Sequence, residues 1–369
     1  MKWFLLGVMC IIVILFVLFI MLVFIIVTRF INMKKSKITT KNGIEENIYV
    51  KLGGIQQHLK IVGEDESNPI ILILHGGPGM AIPYMEYYCY KHLESDYTIV
   101  HWDQRGSGRT YYANVSMSIE NELSVDILLD DLDELISYLV KRFNKEKIII
   151  MGQSWGTVLG SIYSLLHPEK VEAYIAVGQV VDFYKGDCIA ISSAIEAAAK
   201  EGKTEDITEL NQLLSGLKRM DDIKKLDTAT SAQLHALIFK YLSCDGVMSM
   251  WRQIWTGITS PDMTLHDLRW FMNISTIEKS IKFESPLLEF LFCKLDLYAY
   301  GTQYKVPVYF ISGDHDWTTP YPLVKEYYNM ITADKKKLIL IENTGHAPYV
   351  DNPIAFCEGV KTVLNYNTN

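Results

Sequence analysis

The chain has 369 residues, 49% of them hydrophobic, and its 35 Lys+Arg against 43 Asp+Glu leave a formal charge of −8. That apolar content excludes wholesale disorder and supplies a sizeable core, while the acidic balance argues against a nucleic-acid partner, which calls for a basic face. At roughly 150 residues per domain, the length suits two units or one large α/β domain with an insertion.

The charge is unevenly placed. Residues 1–41 hold Lys2, Arg29, Lys34, Lys35, Lys37 and Lys41 and no acid, and residues 3–28 are uncharged and almost wholly Leu, Ile, Val, Phe and Met. As a helix rising about 1.5 Å per residue they span roughly 39 Å, enough to cross a hydrocarbon core of about 30 Å with some tilt. A cleavable leader has an apolar region about half as long, ending at small residues. Phe24-Ile25-Ile26-Val27-Thr28-Arg29 offers no such site. The sequence therefore predicts an uncleaved single-pass anchor over 3–28, with a lipid bilayer as partner. Five cations follow the span against Lys2 and the amino terminus before it, which favours a cytoplasmic catalytic part. Cys10, Cys89, Cys188, Cys244, Cys293 and Cys357 are scattered without a C-x-x-C pair. That spacing suggests neither a metal site nor a disulfide framework.

After a polar linker over 29–47, strands and helices alternate. Ile48–Leu52 and Ile55–Val62 flank Gly53-Gly54 as a hairpin. Compact β-rich runs follow at Ile70–Leu74, Tyr97–Trp102, Lys147–Met151, Ala173–Val177, Val306–Ile311 and Lys337–Ile341. Between them Val125–Phe143 carries apolar residues at helical 3–4 spacing. Short buried strands alternating with amphipathic helices mean a mostly parallel sheet covered on both faces. Residues 48–182 and 301–369 form this core. Residues 183–300 break the rhythm with helices and no strands, for example Ile189–Glu201 and Glu205–Leu217, and read as a helical cap over the sheet.

The chemistry lies at the strand ends. Ile148–Met151 runs into Gly152-Gln153-Ser154-Trp155-Gly156, where two glycines allow the tight turn that lifts a serine hydroxyl above a sheet. Ser154 is the expected nucleophile, and it needs a base. His346, in Thr344-Gly345-His346 after the last strand, is best placed among the histidines. The orienting carboxylate should follow the preceding strand, in Gly313-Asp314-His315-Asp316. Asp316 is preferred to Asp314 because it leaves room for the turn back toward His346. The chain order Ser154, Asp316, His346 is that of α/β-hydrolases. A tetrahedral intermediate needs two aimed N–H donors. The expected pair is Trp155, at the start of its helix, and Gly77, in His75-Gly76-Gly77-Pro78-Gly79 after Ile70–Leu74.

His75–Gly79, Asp103-Gln104-Arg105-Gly106-Ser107-Gly108 and Gly152–Gly156 resemble the signature segments of the proline iminopeptidase branch of the α/β-hydrolase superfamily. Gly313–Asp316 and Gly345-His346 are similar to its acid and histidine turns. The resemblance implies a serine peptidase that releases an N-terminal residue, usually proline, with neither metal nor cofactor. It also implies the triad and oxyanion donors just named, and a bracing role for Asp103 and Arg105. The cap departs from the family, whose Trp-Glu-rich cap segments hold the substrate's ammonium. Here the Trp-rich piece reads Trp251-Arg252-Gln253-Ile254-Trp255, with no acid. Trp251 and Trp255, at i,i+4, are candidates for an apolar pocket wall. Glu196, Glu201, Glu284 and Glu289 are candidates for an ammonium anchor, with Glu196 and Glu289 carried into the expected site. The expected activity is that of an aminopeptidase on small peptides, the alternative being a carboxylesterase or lipase-like hydrolase of acyl substrates using the same triad.

Overall fold

The computed structural model describes residues 1–117 and 123–365. The last four residues of the second core segment lie outside the described residues.

The apolar run at the amino terminus forms one helix, α1 (Lys2–Ser36), with no buried residue. It continues past the expected span, and the first strand begins at Ile44. The stretch read as a linker over 29–47 is thus largely the end of a helix and the start of a strand. The reason is tertiary: Arg29 Nη2 donates to the carbonyls of Pro261 (3.2 Å) and Met263 (3.0 Å), and Asn32 Nδ2 to that of Thr259 (3.0 Å). These bonds hold the polar end of the helix against the protein.

Strands β1 (Ile44–Leu52), β2 (Ile55–Gly63), β3 (Ile70–Leu74), β4 (Thr98–Trp102), β5 (Ile148–Gln153), β6 (Val171–Val177), β7 (Val308–Gly313) and β8 (Lys336–Ile341) form one sheet in the order β1-β2-β4-β3-β5-β6-β7-β8. The β1–β2 and β2–β4 pairs are antiparallel and the rest parallel. Every residue of β3, β4, β5 and β7 is buried, as their unbroken apolar runs require in a sheet covered on both sides. Short helices α2 (Glu86–Cys89) and α3 (Gly108–Ala113) and the longer α4 (Val125–Phe143) and α5 (Trp155–Leu166) lie within the first core segment. On α4, Leu128, Leu132, Leu135, Ile136 and Leu139 form the buried stripe, and Ser124 caps its start by accepting from the Ile127 N–H (3.2 Å).

The cap comprises α6 (Phe183–Lys200), α7 (Thr204–Gly216), α8 (Thr228–Leu242), α9 (Met250–Ile258), α10 (Leu265–Ile274) and α11 (Ile277–Glu289). The first three share a small apolar core of Ala190, Ile191, Ala194, Leu210, Leu234 and Ile238. The later half is tied to the core by two ion pairs, the buried Arg109–Asp267 (2.9 Å) on α3 and the part-buried Lys60–Asp262 on β2. Helix α11 leaves helical angles at Glu284 (φ −119°, ψ 17°) just before Pro286, whose ring nitrogen cannot donate to the Lys282 carbonyl. The core closes with α12 (Tyr321–Met330), α13 (Pro348–Asp351) and α14 (Pro353–Asn365).

Candidate active site

Ser154 stands between β5 and α5 with φ 49° and ψ −119°. A side chain in this region costs on the order of 1–3 kcal/mol, and the surrounding turn holds it there. The Ser154 N–H donates to the Val177 carbonyl (2.9 Å) and its own carbonyl accepts from Thr157 N–H (2.7 Å). Gly156 is obligatory, since a β-carbon there would lie 1.9 Å from the Leu74 carbonyl oxygen. The elbow is thereby pressed against the end of β3.

His346 lies in the loop after β8. Its Nδ1 is 2.9 Å from Asp316 Oδ2 and 3.0 Å from Oδ1. Asp316 is 2% exposed and also accepts from the Thr318 N–H (3.0 Å), the Thr319 N–H (2.9 Å) and the Thr319 hydroxyl (2.7 Å). Asp314 is occupied elsewhere, accepting from Thr344 N–H (3.1 Å) and His315 Nδ1 (2.9 Å). Between the two candidate acids the geometry thus pairs Asp316 with the histidine. Burial pulls the His346 pKa down, but the charge and hydrogen bond of Asp316, with the charge of Asp351, outweigh it and leave it raised. Gly178, next to the Val177 that accepts from Ser154, faces this pair: a β-carbon there would sit 3.0 Å from His346 Cε1 and 3.3 Å from Asp316 Oδ2.

The loop after β3 completes the rim. A β-carbon on Gly76 would be 3.1 Å from Ser154 Cβ, so this loop lies directly beside the nucleophile. Neither the Gly77 N–H nor the Trp155 N–H donates to an acceptor among the described residues. The Asp103–Gly108 segment braces the loop from behind. Gln104 Nε2 donates to the His75 carbonyl (3.3 Å), and Gln104 Oε1 accepts from the Trp155 indole (3.2 Å). His75 Nε2 lies 3.1 Å from the Ser107 hydroxyl, and burial lowers the His75 pKa. Arg105 grips Asp131 with two bonds (2.8 and 2.9 Å), and Asp103 accepts from Arg109 N–H (2.8 Å).

The cap residues carried into the expected site lie elsewhere. Trp255 stacks on Phe24 of α1 (centroids 5.5 Å apart), and Trp251 is 75% exposed. Glu196 is exposed on α6, and Glu289 accepts from Ile223 N–H (2.8 Å) and faces Lys294 (3.6 Å). The i,i+4 spacing put both tryptophans on one side of α9, but there Trp255 meets α1 and Trp251 is left exposed.

Among the four glutamates considered, Glu284 is the one the fold brings to the oxyanion loop. It is fully buried, and neither carboxylate oxygen has a hydrogen-bond partner. A β-carbon on Gly79 (φ +83°) would lie 2.7 Å from Glu284 Oε1. The Gly79 carbonyl is held by the indole of Trp270 (2.6 Å), which packs with Tyr111 and Phe283. Burial alone raises the Glu284 pKa from 4.5 to about 8. Sequence reasoning missed the Arg109–Asp267 and Lys60–Asp262 pairs altogether, because each joins residues more than 150 positions apart with no motif around either. Among the described residues no group of three or more His, Cys, Asp or Glu side chains is arranged to hold a metal ion.

A tight serine turn on a mostly parallel sheet, with an acid–histidine pair after the last two strands, defines a class. The α/β hydrolase fold family model matches residues 69–353, and the chain belongs to that family. Within it, the chain is 27% identical over 308 residues to "Probable aminopeptidase YbaC" of Bacillus subtilis (strain 168), covering 83% of this chain and 92% of that one. It is 24% identical over 325 residues to a proline iminopeptidase of Lactobacillus acidophilus, covering 85% and 96%. The crystal structure of the Mycobacterium smegmatis proline iminopeptidase superposes with a TM-score of 0.60 at 16% identity, over 87% of this chain and 98% of that one, a likeness of fold.

Proposed function

We propose that this protein is a membrane-anchored serine aminopeptidase, in which Ser154, His346 and Asp316 release a substrate's first residue while Glu284 holds that residue's ammonium. The observation that carries this reading is Glu284: a buried carboxylate with no partner, set against the loop that borders the nucleophile. Leaving a carboxylate unpaired in a dry site is costly, and a ligand cation removes that cost. A neutral acyl substrate brings no such cation.

His346 Nε2 takes the proton as Ser154 Oγ attacks the carbonyl of the first residue, and Asp316 steadies the imidazolium through Nδ1. The N–H groups of Gly77 and Trp155 hold the oxyanion. Collapse breaks the C–N bond, His346 protonates the departing amine, and the first residue remains as an ester on Ser154. Water, deprotonated by His346, attacks that ester and frees the amino acid. In the same reading α1 spans the bilayer, and the cations after the span keep the catalytic part on the cytoplasmic face.

The test uses the full-length protein in detergent with prolyl, alanyl and N-acetylprolyl arylamides and a short-chain p-nitrophenyl ester. Cleavage of the free-amine arylamides alone is expected, and Ser154→Ala should cut it by about 10⁵–10⁶-fold. Fast ester cleavage without arylamide turnover would replace the proposal with the esterase alternative.

A further inference from the structure

Two contacts fix how α9 lies along the anchor. Trp255 stacks on Phe24, and one turn later the Thr259 carbonyl accepts from Asn32. Both chains advance in the same sense, by eight residues on α1 and four along α9, so α9 crosses α1 obliquely with its amino-terminal turn toward the bilayer side. Phe24 belongs to the uncharged run and sits five residues inside Arg29, its first charged boundary. That places it about 7–8 Å beyond the boundary at about 1.5 Å per residue. Trp251 lies four residues before Trp255, roughly 6 Å further along α9 on that same side. The side chains there have no protein cover: Met250 is 64% and Trp251 75% exposed.

We infer that the amino-terminal turn of α9 is a second bilayer contact, with Met250 and Trp251 inserted among the lipids beside α1. This rests on the proposal that α1 spans a membrane. The chemistry of the turn fits that partner. Tryptophan favours the boundary between headgroups and acyl chains, and apolar helix faces lodge about 5–10 Å deep there. The neighbouring Arg252 reaches back to the Tyr88 hydroxyl, away from the apolar tip. Exposed Lys34 and Lys35 on α1 and Lys37 just beyond it follow Arg29, at the level of anionic headgroups. The contact is continuous with the docked anchor and adjoins the histidine loop. Asp351 accepts from both Met248 N–H (2.7 Å) and Gly345 N–H (2.8 Å), so the approach to α9 and the turn bearing His346 share one carboxylate. Binding of lipid at Trp251 therefore sets the catalytic histidine loop at the membrane surface.

The experiment places a nitroxide on the full-length protein in phosphatidylcholine–phosphatidylglycerol nanodiscs. Trp251→Cys, Ile20→Cys and Leu166→Cys are each made in a background of Cys10→Ala, Cys188→Ala, Cys244→Ala and Cys293→Ala, and their unfolding midpoints are checked against the parent. Ile20 lies within α1; Leu166 is exposed at the far end of α5, on the edge of the sheet opposite the cap. Power-saturation EPR should give, at positions 20 and 251, an oxygen-to-nickel collision ratio severalfold above that at 166. A ratio at 251 matching that at 166, with 20 in the bilayer, overturns the contact and leaves the anchor intact. A low ratio at 20 as well overturns both. Spin–spin broadening at 251 in detergent would assign the surface to a second copy of the chain and also overturn the proposal.

Discussion

The core and the cap each bring one buried carboxylate toward the nucleophile, and the protein treats them in opposite ways. Asp316 is met by two backbone N–H groups, a threonine hydroxyl and His346. Glu284 is met by nothing. A carboxylate with four donors is held rigid, which suits a group that orients one face of an imidazole. A carboxylate with none is held ready for something that arrives from outside. In the proposed function, the contrast separates a group that serves the protein's own chemistry from one that recognises a ligand.

The largest test of that contrast is Asp316→Asn, which keeps the shape but loses the charge and favours the wrong imidazole tautomer. We expect kcat to fall about 10⁴-fold with the unfolding midpoint little changed. Because Asp316 raises the His346 pKa, the acid limb of the residual activity should also move to lower pH. An unshifted limb would detach Asp316 from the base. A third buried carboxylate sharpens the comparison from the structural side. Asp267 neutralises Arg109 across the cap–core boundary, so Asp267→Ala strands a buried cation and should destabilise the protein by about 3–5 kcal/mol in denaturant unfolding. Arg109→Met combined with Asp267→Leu should recover most of that loss; failure to recover would mean the pair is not the cause.

The smallest effect is the most specific. Glu284→Gln should lower kcat/KM for free-amine arylamides by about 10²–10³-fold, the scale of a buried charge pair, and leave the p-nitrophenyl ester rate alone. Equal losses on both substrates would mean that Glu284 only supports the loop. The same variant has a stability signature. The folded-state pKa of Glu284 is raised from 4.5 to about 8, so the unfolded chain gives up this proton first. Stability is therefore lost as pH climbs from about 4.5 to about 8. The glutamine variant lacks that loss, and its advantage in unfolding midpoint should widen across the same window. A constant gap would contradict a neutral, unpartnered Glu284.

The two carboxylates also differ in how plainly the sequence announces them. Asp316 sits three residues beyond the end of β7, in a turn whose neighbours in sequence are its neighbours in space, and the same holds for Ser154 and for the loop after β3. Local apolar runs and glycines determine these turns, so chain order alone arranges them. Glu284 gains its meaning from Gly79 and Trp270, and the Trp270–Gly79 bond spans 191 residues. No spacing rule reaches that far, and Glu284 looked the same as Glu196, Glu201 and Glu289. Trp251 and Trp255 illustrate the same limit: helical periodicity correctly put them on one face, but what the face meets is decided by α1. The end of α1 was hidden likewise, since Arg29 and Asn32 read as linker residues until their acceptors are in place.

Those acceptors have a consequence for the order in which the molecule is made. Arg29 and Asn32 leave the ribosome well before their partners, for the carbonyls they bind are 227 to 234 residues further along. The intervening length contains six of the eight strands and four of the six cap helices. Pairings of such sequence separation form late, after the loop-closure entropy of everything between has been overcome. Helix α1 is therefore made before the residues that dock it, and until residues 259–263 are in place Arg29 and Asn32 lack these acceptors. A nascent chain arrested short of that loop should hold α1 undocked, and completion of the cap is what fixes the helix against the protein.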